Sequence, residues 1–449
     1  MTQDLTKGKP FPTILTFSLP VIGGNLFQLF YTLADSVIVG QALGPDALAA
    51  VGSTGIILYL VLCFIQGVTG GFGICLGYQC GQRNEAGMRE SIAASLWLCL
   101  LCTVCITVPC CMLARRILVW MNTPEQIFSM AYDYMFVVLL GSGAAIFYNL
   151  ISNLLRALGD SRTPLIFLVF SSILNVFLDI VFIVALGMGV AGAAWATVLS
   201  QLLSAVLSSA AGARHFAVLR LRRSDLRCSR RVLLRHLKLG FPMGFQMSVM
   251  CIGQLAMQNA VNALGSSAIA GYTAATKVDQ VSVLVDNAMG VSISNYVAQN
   301  HGAGQVGRIR SGVWACLLQT SVLNLVLCVG ILLCRPLVVP LFVSQATADI
   351  CMYSDQYLLA VAPFYLVLGV LMTYRSSIQS MGNGLAPFLA CITELVLRVG
   401  ATVLLGARIG YPGICLATPL AWCGASLLLV PVYFQAMRRM QREGLLHRA

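Results

Sequence analysis

The chain has 449 residues, of which 58% are hydrophobic and only 10% charged, and it carries a net charge of +12. A soluble protein has roughly 25% charged residues, so a soluble globular fold is excluded; apolar stretches of about 20 residues recur from end to end, as a polytopic membrane protein requires. The four histidines (His215, His236, His301, His447) fall in polar loops or tails, and there is no His-Glu-x-x-His or P-loop, which argues against an intramembrane enzyme.

The opening "MTQDLTKGKPFP" is short and polar, and the apolar segment behind it runs too long for a signal-peptide core, so no cleaved leader is expected. Apolar runs then predict spans near 13–37, 48–76, 91–113, 128–150, 164–186, 190–211, 239–263, 268–297, 312–334, 355–378, 387–406 and 413–436. The fold class expected is an all-α polytopic membrane protein of twelve transmembrane helices. The 17 cysteines lie mostly inside these runs ("LCLLCTVCITVPCC") and read as reduced packing residues.

An even span count puts both termini on one side. One face collects 21 of the 28 Lys and Arg residues, including nine between Arg214 and Lys238; the other holds Arg115, Arg116, Arg335 and Arg408. The positive-inside rule makes the first face cytoplasmic, in the plasma membrane. The linker "RHFAVLRLRRSDLRCSRRVLLRH" reads as a face for anionic lipid rather than for nucleic acid.

That linker, 212–238, separates an amino-terminal lobe (1–211) from a carboxy-terminal lobe (239–449), and the halves repeat. "GQALGPDALAA" (40–50) resembles "VNALGSSAIAG" (261–271), and Gly81 matches Gly302. "LRALGDSRTPL" (155–165) matches "IQSMGNGLAPF" (378–388), and "GAAWAT" (192–197) matches "GICLAT" (413–418). The offsets are 221, 221, 223 and 221 residues, which signals an internal duplication. Six spans per half make the repeats parallel, with a cleft between two lobes that rock to open it alternately to each side.

Charges inside spans carry the functional information, because an aspartate at a helix centre costs about 2.5–3.5 kcal/mol on insertion scales. Asp35 lies toward the outer end of span 1 and Asp179 deep in span 5, with Asn175 one turn away. At the repeat offsets Asp35 falls opposite Ala256 or Met257, and Asp179 opposite Thr402, so duplication alone does not account for the acids. Burial disfavours the charged form of a carboxylate, so such a group can take up a proton near neutral pH and release it when a cation arrives. Oxygen donors equally suit sodium, and the residues leave proton and sodium both open. In the second half, Gln246, Asn259 and Asn262 lie in span 7, and Lys277, Asp279 and Asp286 in span 8. Glu394 and Arg398 are spaced to pair within span 11. Arg375, near a span end, reads as a snorkelling side chain. Pro20 and Pro242 occupy equivalent places in spans 1 and 7, where each can bend its helix or start it. Phe27, Tyr31, Phe147, Met257, Tyr272 and Asp279 are candidates to line the cleft.

These stretches resemble the multidrug and toxic compound extrusion (MATE) family over nearly the whole chain. The marks are "FSLPVIGGNLFQLFYTLADSVIVGQALG", "NLLRALGDSRTP", "NVFLDIVF", "GVAGAAWATVLSQ" and "QNHGAGQVGRIRSG". The resemblance implies a V-shaped two-lobe transporter, acting as a monomer without a cofactor. It would export lipophilic, often cationic organic compounds in exchange for protons or sodium ions. Similarity to the DinF-like branch implies a coupling-cation site, for a proton or Na+, at Asp35, Asn175, Asp179 and Thr197. A glutamate that the NorM-like branch places in span 7 is replaced by Gln246 here. The alternative is a flippase for a lipid-linked or polyanionic substrate, which would need a basic cluster from Lys277, Arg375 and Arg398.

Overall fold

Glycine, proline and asparagine turns punctuate long apolar runs, and the chain folds as helices throughout. The computed structural model describes residues 3–342 and 347–446, without the side chains of Tyr31, Leu33, Ser36 and 443–446. Helices α1 (Pro10–Leu43), α2 (Pro45–Gly81), α3 (Glu85–Trp120), α4 (Glu125–Leu140), α5 (Ser142–Ala157), α6 (Arg162–Asp179) and α7 (Gly189–His215) build the first half. The second half has α8 (Arg230–Asn262), α9 (Ser266–Gly302), α10 (Val306–Phe342), α11 (Ala348–Val361), α12 (Tyr365–Ser380), α13 (Leu385–Ile409) and α14 (Tyr411–Leu446). Helices α4 and α5 meet at a 45° bend and act as one span. Nine spans, or ten with that pair, are long and apolar enough to cross a membrane among the described residues. Helices α8 and α9 complete the twelve; their polar and charged residues hold their hydropathy down.

The outer faces of these helices are apolar. Met112, Leu333 and Leu427 are each at least 75% exposed, which suits a lipid solvent and would not suit water. Helical hydrogen bonding satisfies most backbone groups within each segment, as a bilayer demands, with internal prolines such as Pro109 and Pro336 each removing one donor.

The duplication is visible in the backbone. Gly44 and Gly265 both take a left-handed conformation (φ 86° and 99°) in front of α2 and α9, and Gly159 and Gly382 do so (φ 89° and 90°) after α5 and α12. Each of these turns needs a residue without a Cβ penalty. Arg83 and Gly304, and Gly189 and Gly410, are further positive-φ pairs at the 221-residue offset.

The chain divides into two compact units, and their boundaries differ from the linker-based reading. One unit contains Gly23–Gly244; the other contains Leu5–Ile22 and the chain from Phe245 onward. The start of α8 belongs with the first unit because Gly240 and Gly244 lie directly on Gly71 and Gly67 of α2. The stretch Leu5–Ile22 belongs with the second because the Arg308 guanidinium donates to the carbonyls of Leu5, Lys7 and Gly8 at 3.3, 3.0 and 2.7 Å. Asn300 donates to Leu5 as well, at 3.0 Å. Pro20 and Pro242 lie inside α1 and α8, just ahead of these two boundaries, and not at helix starts.

The basic linker is docked on α3. Arg89 pairs with Asp225 at 3.2 Å and donates to the Arg220 and Ala217 carbonyls. Trp97 donates to Leu226, and Glu90 accepts from the Ser229 N–H. His236, ahead of the seventh span, is buried with Nδ1 at 2.9 Å from the Val232 carbonyl and Nε2 at 2.9 Å from the Ser91 hydroxyl. A carbonyl only accepts, so Nδ1 carries the proton and the neutral ring accepts from Ser91. Burial pushes the imidazole down from 6.5 to about 4. An unfolded chain therefore takes up this proton first as pH falls, so the stability it contributes is full above pH 6.5 and is lost on acidification toward 4. That loss is at most about 3 kcal/mol. The melting temperature of the purified protein is expected to fall less steeply over that range in His236→Gln than in the wild type; equal slopes would refute this role.

Candidate cation site

Four helices of the first unit bring the polar residues of its interior together. Asn175 and Asp179, one turn apart on α6, share a face and are both 0% exposed. Immediately after Asp179 the helix widens into a π turn over Ile180–Ala185, a feature common at functional sites. The Asn175 amide is oriented by its network. With its nitrogen toward the acid, it donates to Asp179 Oδ2 at 3.0 Å and accepts from the Thr197 N–H on α7 at 3.1 Å. In the opposite orientation the nitrogen reaches the Thr197 hydroxyl at 3.3 Å but sets the amide oxygen against the carboxylate.

Asp35 of α1 comes within hydrogen-bonding reach of Asp179. Two carboxylates cannot bond to each other without a proton or cation between them. Neither Asp35 Oδ1 nor Asp179 Oδ1 has a donor among the described residues. Around the acids Val39, Ala47, Ile183, Val190 and Ala193 form an apolar wall. A pocket of about 200 Å³, lined by Leu43, Ala47, Met130, Asp133 and the Met188–Ala191 turn, shares Ala47 and Val190 with that wall.

Asp35, Asn175, Asp179 and Thr197 are thus gathered in one place. Sequence reasoning missed Tyr134 of α4, whose phenol packs on the same apolar wall near both acids. The signal was available: Tyr134 and Tyr357 are 223 residues apart, the local repeat offset. The equivalent positions in the second unit carry no acids. There the Thr418 hydroxyl, twin of Thr197, points at the Met257 sulfur at 3.1 Å, and Thr402 stands opposite Asp179.

The other candidates are dispersed. Phe27 is half-buried on α1, and Phe147 packs against the core of the first unit. The Tyr31 side chain lies outside the described residues. Met257 and Tyr272 are buried in the second unit, Tyr272 edge-on to Tyr357, which donates to Asp279. Arg375 does not snorkel: it is 2% exposed, because Glu394 on the next helix binds it at 2.6 Å while also holding Arg398 at 2.9 Å. Among the described residues no three His, Cys, Asp or Glu side chains gather to hold a metal, and all 17 cysteines are free thiols.

Comparison with known proteins assigns the family. The MatE family model matches twice, over residues 20–181 and 242–404, once per half. The chain is 31% identical to "Probable multidrug resistance protein YpnP" of Bacillus subtilis, over 94% of each chain. It is 24% identical to the "FAD transporter" of Shewanella oneidensis, over 95% of this chain and 94% of the other. The solved structure "Crystal structure of MATE in complex with MaL6" superposes with a TM-score of 0.91 at 23% identity over 98% of both chains. Twelve helices in a duplicated fold, a family match in each half and a full-length relative at this identity mean that the chain belongs to MatE, the multidrug and toxic compound extrusion family of membrane transporters.

Proposed function

We propose that this transporter belongs to the DinF-like branch and exports lipophilic, cationic organic compounds by antiport, with Asp35, Asn175, Asp179 and Thr197 as its coupling-cation site. The single observation that carries the reading is the contact between Asp35 and the fully buried Asp179. A pair of carboxylates in an apolar wall changes charge when a proton or sodium ion enters. Empty, the pair carries two negative charges and favours retention of a cationic substrate; each cation that enters removes one of them, and the weakened attraction lets the substrate leave. The pocket beside Ala47 and Val190 supplies the ion route in this reading. The positive-inside distribution favours cytoplasmic termini and hence ion entry from outside. The 31% identical relative is named a probable multidrug resistance protein, which supports a drug-like substrate.

The flippase alternative loses its residues. Arg375 and Arg398 are both engaged by Glu394, and Lys277 is exposed, so they do not form a free basic cluster.

The test is efflux of a fluorescent lipophilic cation from vesicles holding the purified protein, under a proton gradient or a sodium gradient imposed separately. One gradient is expected to drive transport in the wild type and to leave Asp179→Asn inert, at normal yield of folded protein. Transport by Asp179→Asn at the wild-type rate would remove the site from the mechanism.

A further inference from the structure

The basic linker has two sides. Val218 is buried, and Phe216, Leu219 and Leu221 pack with it on the core of the first unit, which also holds Met88 and Ile92 of α3. Two 3₁₀ turns, Ala217–Leu219 and Arg223–Leu226, lie against that helix. The acids at hand are turned toward the fold. Asp225 Oδ2 accepts from Arg89 at 3.2 Å and from the Arg222 N–H at 2.8 Å, and Glu90 Oε1 accepts from the Ser229 N–H at 2.8 Å. Arg220 is engaged by the Ala213 and Arg214 carbonyls, and Arg235 stands over the Tyr78 ring, 4.1 Å from its centroid. Arg223, Arg227, Arg230 and Arg231 are different: all four are exposed, and none pairs with an acid among the described residues.

Trp97 of α3 fixes the depth of this group. Its indole N–H donates to the Leu226 carbonyl at 3.0 Å, beside Arg227 in the chain. Trp97 also heads a stripe with Leu100, Leu101, Val104 and Val108, spaced three and four apart, each 49–55% exposed. An exposed apolar stripe on a spanning helix faces acyl chains. A tryptophan at the end of such a stripe, with its ring in the apolar layer and its N–H on a polar partner, marks the headgroup level. The linker arginines around Leu226 therefore lie beside lipid headgroups and not out in the water.

We propose that the linker and α3 together form a binding surface for an anionic phospholipid, its phosphate on Arg223, Arg227, Arg230 and Arg231 and its acyl chains along the Trp97–Val108 stripe. Guanidinium groups match phosphate oxygens with paired N–H donors, and each basic residue near an anionic membrane surface is worth about fivefold in affinity. A general excess of positive charge on one face needs no docked linker. Here the Arg89–Asp225 pair, the Trp97 bond and the Glu90 bond hold the charge in one place at the end of a lipid-facing stripe. The surface lies away from the Asp35–Asp179 site in the sequence and in its contacts, and it does not depend on the antiport reading.

The experiment titrates fluorescent phosphatidylglycerol into the purified, delipidated full chain in neutral detergent, with fluorescent phosphatidylcholine as the zwitterionic control. The wild type is expected to bind phosphatidylglycerol at least about tenfold more tightly and to lose that preference as salt screens the exposed charges. The triple variant Arg223→Gln, Arg227→Gln, Arg230→Gln should fall to the phosphatidylcholine level, while lysine at the same three positions keeps most of the preference. Removing three exposed charges elsewhere, with Arg438→Gln, Arg439→Gln and Arg442→Gln in the tail, should change binding less than about twofold. Trp97→Phe leaves every charge in place but releases the linker from the stripe, and it should weaken the preference several-fold; it decides the matter if the triple variant does not fold. Equal binding of the two lipids by the wild type would overturn the proposal. So would equal losses in the linker and tail variants, which would mean charge without a site, or an unchanged preference in Trp97→Phe. Displacement of phosphatidylglycerol by millimolar inorganic phosphate would make a soluble anion the ligand and overturn it as well.

Discussion

Replacement of Glu394 by Ala is expected to remove most of the folded protein. Among the described residues, Glu394 forms salt bridges with two buried guanidinium groups, Arg375 at 2.6 Å and Arg398 at 2.9 Å, and the three side chains are 3%, 3% and 7% exposed (Glu394, Arg375, Arg398). Both arginine Nε atoms already lack a partner among the described residues. Without the carboxylate, two positive charges face each other in an apolar interior. Breaking a buried pair by removing one partner costs about 3–5 kcal/mol, a large share of any domain's stability. Glu394→Gln keeps the shape but not the charge and should fare nearly as badly. Changing all three residues to Met should be milder than Glu394→Ala alone, since it removes the stranded charges together with their partner. Fluorescence-detected size-exclusion chromatography after heating reads all three variants. A Glu394→Ala protein that elutes and melts like the wild type would show that the triad is not holding α12 to α13.

The second large effect is expected at Gly71. A Cβ there would stand 2.6 Å from Gly240 Cα and 2.8 Å from Gly240 N, both backbone atoms that cannot rotate away. Gly67 has the same problem against Gly244 Cα, at 2.7 Å. The two glycines of α2 and the two of α8 are each four apart, so small faces meet and the helix backbones touch, as in tight membrane helix pairs. Gly71→Val must push α8 away and give up that contact. Overpacking of this kind costs about 1–3 kcal/mol, and the upper end applies because only backbone is in the way. The control lies on the same helix: Gly52 and Gly55 have open space around them, so Gly55→Ala should be neutral or stabilising through helix propensity. If Gly71→Val and Gly55→Ala melt alike, the close approach is not what attaches the start of α8 to the first unit.

Much of the molecule was readable in one dimension. Twelve apolar runs gave the helices, and the repeat offsets gave the paired turns at Gly44 and Gly265. The cost of a buried acid singled out Asp35 and Asp179, and the i, i+4 spacing of Asn175 and Asp179 put the amide beside the carboxylate. What a string does not carry is the partner on another helix. Arg375 looked like a residue able to reach water because its counter-charge, Glu394, is 19 residues away across a turn. Tyr134 was marked only by its repeat match to Tyr357, and its place beside the two acids needed the fold. The unit boundaries at Ile22/Gly23 and Gly244/Phe245 escaped because charge marks loops, whereas packing of glycine on glycine marks which unit a helix end belongs to.

The π turn after Asp179 also bears on how the two halves diverged. Between Leu165 and Gly192 the first half takes 27 residues, whereas the matching stretch from Phe388 to Gly413 takes 25, which is why the repeat offset drops from 223 to 221. The π turn at Ile180–Ala185 lies inside that longer stretch; its counterpart, α13, runs unbroken from Leu385 to Ile409. A π turn is what a helix becomes when it accommodates one extra residue without unravelling. The longer stretch, the widened helix and the acid therefore share one address, and the twin half has none of the three there.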